Sequence, residues 1–191
     1  MLAERVPPLS EADYLAMEAE SSCKHEFLAG EVYALAGATE AHNRLVTNLI
    51  VELGLAARGT RCRVLGSDMK LRIAETQPDG QHRVVYYYPD IQVVRDATDT
   101  EPLFKMRPCA IVEVSSRSTE IIDTREKLLA FRGIESLRDY VIVSQDRRRV
   151  VRHYRDERGA WWKAEQNNQG SVAITCLTVD LNLDGIYEGV I

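Results

Sequence analysis

At 191 residues, 45% hydrophobic and 28% charged, the chain has the size and balance of one globular domain, residues 1–191, with room for a real core. No apolar run approaches the roughly 20 residues that span a bilayer, and Met1 to Pro8 holds no apolar signal core, so a cytoplasmic protein without a membrane segment is expected. A net charge of −5 excludes a uniformly basic polyanion receptor, although it leaves room for a local basic face.

In chain order, Ser10-Glu11-Ala12-Asp13 has the pattern of a capped helix start, and that helix is expected to run to about Glu20. Lys24 to Leu28 and Glu31 to Ala36 read as two strands around a tight turn at Ala29-Gly30. From Glu40 to Ala57, residues Leu45, Val46, Leu49, Ile50, Leu53 and Ala57 recur at helical spacing, with Gly59 as the stop. Strands follow at Arg61 to Leu65 and Met69 to Ile73, then a turn at Pro78-Asp79-Gly80 and a β-rich run from Val84 to Tyr88. Asp96 to Arg107 is polar and irregular, the pattern of a mobile loop. The apolar strand Cys109 to Ser115 precedes a helix from about Asp123 to Arg132, ended by Gly133, and Tyr140 to Val143 reads as a buried strand. The remainder, to Ile191, reads as hairpins around Asp156 to Gly159 and Asn167 to Gly170. This order predicts a mixed α+β (α/β) domain.

Four cysteines (Cys23, Cys62, Cys109, Cys176) lie far apart without a CxxC pair. That spacing argues against zinc and predicts reduced, buried thiols. The densest basic stretch, Arg147-Arg148-Arg149 with Arg152, Arg155 and Arg158, reads as a solvated hairpin with arginines on its exposed side. Trp161 and Trp162 are neighbours in a strand pattern and point to opposite faces, so at least one is expected in the core.

Three positions carry the chemistry. Pro89 holds the chain extended and sets the Asp90 carboxylate at a strand start. Glu113 interrupts the run Ala110-Ile111-Val112-Glu113-Val114, where a buried charge needs a metal, a cation or a proton. Alternation puts Ala110, Val112 and Val114 on one face and Ile111, Glu113 and Ser115 on the other. Lys127 sits in the helix that follows, one turn after Asp123, a spacing that a simple surface ion pair also satisfies. Two carboxylates on neighbouring strands with a lysine suit single-metal phosphodiester chemistry, provided that Asp90 and Glu113 lie within about 10 Å of each other, since one ion's ligands sit ~2–2.6 Å from it. Neither a Gly-x-Ser-x-Gly elbow nor a phosphate-binding glycine loop is present.

These segments together resemble the Uma2 family (DUF820), within the PD-(D/E)xK restriction-endonuclease-like group, over about residues 10 to 160. The markers are Glu26-Phe27-Leu28-Ala29-Gly30-Glu31-Val32, His42 opening the long helix, Pro89-Asp90, Glu113-Val114-Ser115-Ser116-Arg117-Ser118-Thr119, and Asp123, Lys127, Phe131 and Gly133 at fixed spacing. The resemblance implies a restriction-endonuclease-like core: a central mixed β-sheet flanked by helices, with extra N- and C-terminal β-hairpins. It implies a metal-dependent endonuclease acting on DNA with Mg²⁺ or Mn²⁺, and a homodimer in which two sites address two strands. Asp90, Glu113 and the Val114 carbonyl would be the metal ligands. Ser115 stands where the wider group has its lysine, so Lys127 would take that catalytic role, with Glu26 and His42 reaching the same cleft. Two other readings stay open: a catalytically silent nucleic-acid or protein-binding module, and a hydrolase of another phosphoester.

Overall fold

Ser10 opens the first helix, α1 (Glu11–Glu20), where its hydroxyl accepts the Asp13 amide N–H at 3.2 Å and satisfies a donor that every helix start leaves unpaired. The computed structural model describes residues 8–76, 82–116 and 126–191. The expected turn at Pro78-Asp79-Gly80, the helix start at Asp123, the Ser118-Thr119 pair and the first seven residues lie outside them. Strands β1 (His25–Leu28) and β2 (Glu31–Ala34) form the expected hairpin. Its turn residues Ala29 and Gly30 both have positive φ, 51° and 102°, which matches the twist of the flanking strands. Thr39 caps α2 (Glu40–Ala57) by accepting the His42 N–H, and Leu45, Leu49 and Leu53 make its fully buried seam. Ile50, expected on that stripe, is instead exposed.

Strands β3 (Arg63–Gly66), β4 (Lys70–Thr76), β5 (His82–Tyr87), β6 (Ile91–Val94), β7 (Phe104–Lys105) and β8 (Pro108–Ser115) follow. Then come α3 (Leu128–Arg132), β9 (Asp139–Ser144), β10 (Arg149–Arg155), β11 (Trp161–Asn167), β12 (Ser171–Ile174), β13 (Val179–Asn182) and α4 (Leu183–Ile186). The class is mixed α+β, as expected, but the strands divide into two larger mixed sheets and one small hairpin rather than one central sheet. One sheet has the order β2-β1-β5-β4-β7 and the other β11-β10-β9-β8-β6-β3, while β12 pairs only with β13. The amino-terminal hairpin is thus the edge of a sheet, because β1 pairs with β5.

Three apolar clusters bind the layers, and each fully buried aliphatic or aromatic side chain contributes about 1.5–3 kcal/mol. Tyr14, Phe27 and Tyr86 join α1 to the outer face of the first sheet. Leu71, Ile73, Val85 and Tyr87 of that sheet meet Ile111, Tyr140, Ile142 and Val151 of the second, together with Leu128 and Phe131 of α3. The far face of the second sheet packs Ala110, Val112 and Val114 against α2 and the carboxy-terminal segment from Val172 to Tyr187. The predicted alternation along β8 therefore holds, although all eight of its residues are buried.

Four expectations need correction. Residues 96–107 are pinned rather than loose: the buried Asp99 carboxylate accepts the Met106 and Arg107 amides at 2.9 and 2.8 Å. Asn167 to Gly170 links β11 to a different sheet, and the second hairpin turns at Thr175–Leu177 instead, where Thr178 takes a left-handed φ of 54°. Cys109 and Cys176 form a disulfide with Cα atoms 6.1 Å apart, whereas Cys23 is exposed and Cys62 half-buried, so uniformly reduced, buried thiols is not the arrangement. Nor are the clustered arginines a free solvated row. Arg148 pairs with Asp184, Arg149 with Glu165, and Arg152 with the fully buried Asp139, while Arg155 donates to the Glu135 and Arg132 carbonyls. Trp161 packs at the edge of the inter-sheet core and Trp162 is exposed, in line with their alternation.

Candidate active site

The backbone crosses from one sheet to the other at Tyr88-Pro89-Asp90, between the end of β5 and the start of β6. Ile91 faces Val112 in the antiparallel β6–β8 register, so Asp90 arrives opposite Glu113, and its amide N–H donates to Glu113 Oε2 at 3.3 Å. Its side chain extends the ladder just before β6 begins: Asp90 Oδ2 accepts the Val114 amide at 2.7 Å. The two carboxylates predicted to act together are therefore neighbours, well inside the 10 Å limit.

Lys127, just before α3, is buried and no part of a surface pair. Its Nζ lies 2.9 Å from Glu113 Oε1 and 3.4 Å from Glu26 Oε1, above the Tyr87 ring at 5.7 Å. Glu26 reaches it from β1, where Phe27 turns to the opposite, α1-facing side, and Glu26 Oε1 also meets the Tyr88 amide at 3.5 Å. His42, in the first turn of α2, sets Nε2 3.2 Å from Asp90 Oδ1. All five residues singled out from the sequence thus form one connected series, His42–Asp90–Glu113–Lys127–Glu26, joined at Asp90–Glu113 through the Asp90 backbone amide, although they come from five separate segments. None of the five is more than a fifth exposed at its side chain. Within this set carboxylates outnumber cationic groups, an arrangement that favours a bound cation.

Two nearby features were not among the residues singled out from the sequence. Tyr87 supplies the aromatic floor under Lys127, and burial pushes its phenol well above the ordinary range, so it stays neutral. Beside His42, Thr39 Oγ1 donates to Gln145 Oε1 at 2.9 Å, tying the start of α2 to the end of β9. The run Tyr86-Tyr87-Tyr88 before Pro89 hints at an aromatic wall, but no local pattern joins residues 39 and 145.

The donor set suits a hard divalent ion. Ser115 sends its carbonyl toward β9, where it accepts the Gln145 amide at 2.9 Å. Strand alternation therefore turns the Val114 carbonyl to the Asp90 side, beside the amide that Asp90 holds. Two carboxylates and one carbonyl are oxygen ligands throughout. Oxygen ligands of this kind are what Mg²⁺ takes, commonly one or two carboxylates with water and substrate phosphate completing its shell.

A family model described as Uma2, "Putative restriction endonuclease", matches residues 11–184. Two proteins of Synechocystis sp. (strain ATCC 27184 / PCC 6803 / Kazusa) are similar along most of their length. Uncharacterized protein slr1290 is 28% identical over 184 residues, covering 96% of this chain and 93% of its own. Uncharacterized protein sll1609 is 34% identical over 157 residues, covering 81% and 84%. A crystal structure from Anabaena variabilis ATCC 29413, described as a "putative nuclease belonging to DUF820", matches with a TM-score of 0.74, covering 96% of this chain and all of its own. At 11% identity that likeness speaks to the fold alone.

Proposed function

The chain belongs to the Uma2 family, and on that footing we propose that it is a metal-dependent endonuclease that hydrolyses phosphodiester bonds in DNA with Mg²⁺ or Mn²⁺. The observation that carries this reading is the 2.9 Å contact between Lys127 Nζ and Glu113 Oε1. A lysine meets the carboxylate pair even though Ser115 stands two positions after Glu113. Asp90, Glu113 and the Val114 carbonyl would hold the ion, which when bound supplies a water ionised near neutral pH and neutralises charge on the phosphate.

The remaining work falls to the chain's own groups. Lys127 donates to a non-bridging phosphate oxygen or to the attacking water, and Glu113 and Glu26 hold its Nζ in position. His42 orients the Asp90 carboxylate through Oδ1, while the Val114 amide fixes Oδ2. Two copies acting together would cut both strands of a duplex.

The test is plasmid and single-stranded DNA cleavage with Mg²⁺ or Mn²⁺ beside Asp90→Ala, Glu113→Ala and Lys127→Ala. Each variant is expected to lose about 100-fold or more, the scale of removing one electrostatic stabiliser from a preorganised site. Equal cleavage by all four proteins would mark a contaminant and move the silent binding module to first place. A second reading, hydrolysis of a small phosphoester, is favoured by the pairing of the hairpin arginines, which leaves fewer cations for a DNA backbone. Turnover of bis(p-nitrophenyl) phosphate without DNA cleavage would select it.

A further inference from the structure

On the outer side of the first sheet, facing away from the carboxylate cluster, a second group of reactive side chains is assembled between α1 and β1. Cys23 is exposed, and its Sγ lies 3.6 Å from His25 Nε2. On the other side of the imidazole, Nδ1 lies 2.9 Å from Glu18 Oε2. Glu18 also accepts the His25 backbone N–H at 2.9 Å and the Tyr88 hydroxyl at 2.7 Å, and Tyr14 donates its hydroxyl to the His25 carbonyl at 2.7 Å. Ser21 completes the thiol's surroundings: its Oγ accepts the Cys23 amide and sits 3.7 Å from Sγ.

The imidazole is held between Glu18 and Cys23, the His25 backbone is tied to Glu18 and Tyr14, and the ring's tautomer follows from its neighbours. Burial pushes the Glu18 carboxyl up, but hydrogen bonds from Tyr88 and His25 more than offset this and keep it below its ordinary range. Glu18 is therefore an anion that can only accept, so in the neutral imidazole Nδ1 carries the proton and Nε2 presents its lone pair to the thiol. Nucleophile, base and orienting carboxylate stand in the sequence of contacts that defines an activated nucleophile.

We propose that Cys23, His25 and Glu18 form a thiol-exchange site whose co-reactant is a small disulfide. His25 Nε2 takes the thiol proton as Cys23 Sγ attacks one sulfur of the disulfide. A Cys23–sulfur bond forms, the original sulfur–sulfur bond breaks, and the second sulfur leaves as a thiolate that the His25 proton neutralises. One disulfide is consumed and one made, so no further oxidant is required. The ionisable groups around the imidazole are Glu18 and Tyr14 on α1 and Tyr88 beyond β5; Lys24, next to the thiol, is turned to Asp68 and Ser67. The plain alternative is an ion pair that merely ties the end of α1 to the hairpin, with the cysteine a bystander.

Thiol kinetics separate the two. The full chain carrying Cys62→Ser leaves Cys23 as its one thiol outside the disulfide, and it is treated with 5,5′-dithiobis(2-nitrobenzoate) and with oxidised glutathione. At pH 6.5, native Cys23 is expected to react at least about fivefold faster than the same thiol in the urea-unfolded chain, and His25→Gln to lower the native rate about tenfold, a modest general-base effect. At pH 10, where ordinary thiols are ionised without help, the rates of the variant and its parent should converge. A native rate at pH 6.5 no faster than the unfolded chain's would overturn the proposal, even if His25→Gln failed to fold. So would a tenfold deficit that persisted undiminished at pH 10, which would mean blocked access rather than a lost base.

Discussion

His153 is a buried histidine with no place in the candidate site, and it makes the chain's stability depend on pH. Its ring stacks on Tyr140 at 6.3 Å between centroids, and its Nδ1 has no hydrogen-bond partner among the described residues. Burial, reinforced by the positive charges of Arg132 and Lys163, lowers its pKa to about 4. The unfolded chain binds that proton near pH 6.5 while the native protein resists it down to about 4. The stabilisation is therefore complete above pH 6.5 and is lost as pH falls through the window between those values. At pH 5 the loss amounts to about 2 kcal/mol. Urea unfolding at pH 7 and pH 5 should show it, and His153→Phe, which keeps a ring against Tyr140, should remove that part of the dependence. An unchanged pH difference in the variant would count against this account. The same one-residue logic made Glu113 readable beforehand: an ionisable group in an all-apolar strand needs a partner, and Lys127 is there. Glu26 and His42 had no such local signal and were reached through family resemblance.

Among the elements, the link between β8 and the turn after β12 is a covalent one. Cys109 is the second residue of the strand that carries Glu113, and Cys176 lies 67 residues further along. Closing a loop of that length stabilises the fold by about 4 kcal/mol in the chain-entropy picture. Urea unfolding of the protein with and without reductant should differ by that order, and a double Cys109→Ala, Cys176→Ala variant should match the reduced protein and no longer respond to reductant. Equal stability in both states would mean that the two thiols are not bridged. The pairing could not be read in advance, because spacing alone does not say which distant cysteines meet. Hairpins and helices were legible where a turn, cap or stop lies within a few residues, as at Ala29-Gly30, Ser10 and Gly59. Strand partners were not. Period-two alternation in β8 tells which side chains share a face, yet it cannot tell that β5 and β6, joined by Pro89, belong to different sheets.

At the scale of the whole molecule, the net charge of −5 and the internal pairing of Arg148, Arg149 and Arg152 limit how many phosphates the protein can neutralise. Affinity for DNA is therefore expected to fall with salt along a shallow log–log slope of about −4 or less in magnitude, the mark of few phosphate contacts. Fluorescence anisotropy of labelled duplex across a salt series would check this, and a slope near −8 would reveal a basic groove that these ion pairs do not suggest. Among the described residues no helix is long and apolar enough to cross a membrane. The larger arrangement also changes what loss of activity would mean. Glu26 belongs to one sheet, Glu113 to the other, and Lys127 bridges them while Asp90 stands at the crossover. Neither layer by itself owns the site, so the seam works as a gauge: slippage of one sheet against the other would open the Glu26–Lys127–Glu113 gap before any strand came apart. Mutations deep between the layers, far from Asp90, should therefore silence the protein while leaving its secondary structure intact.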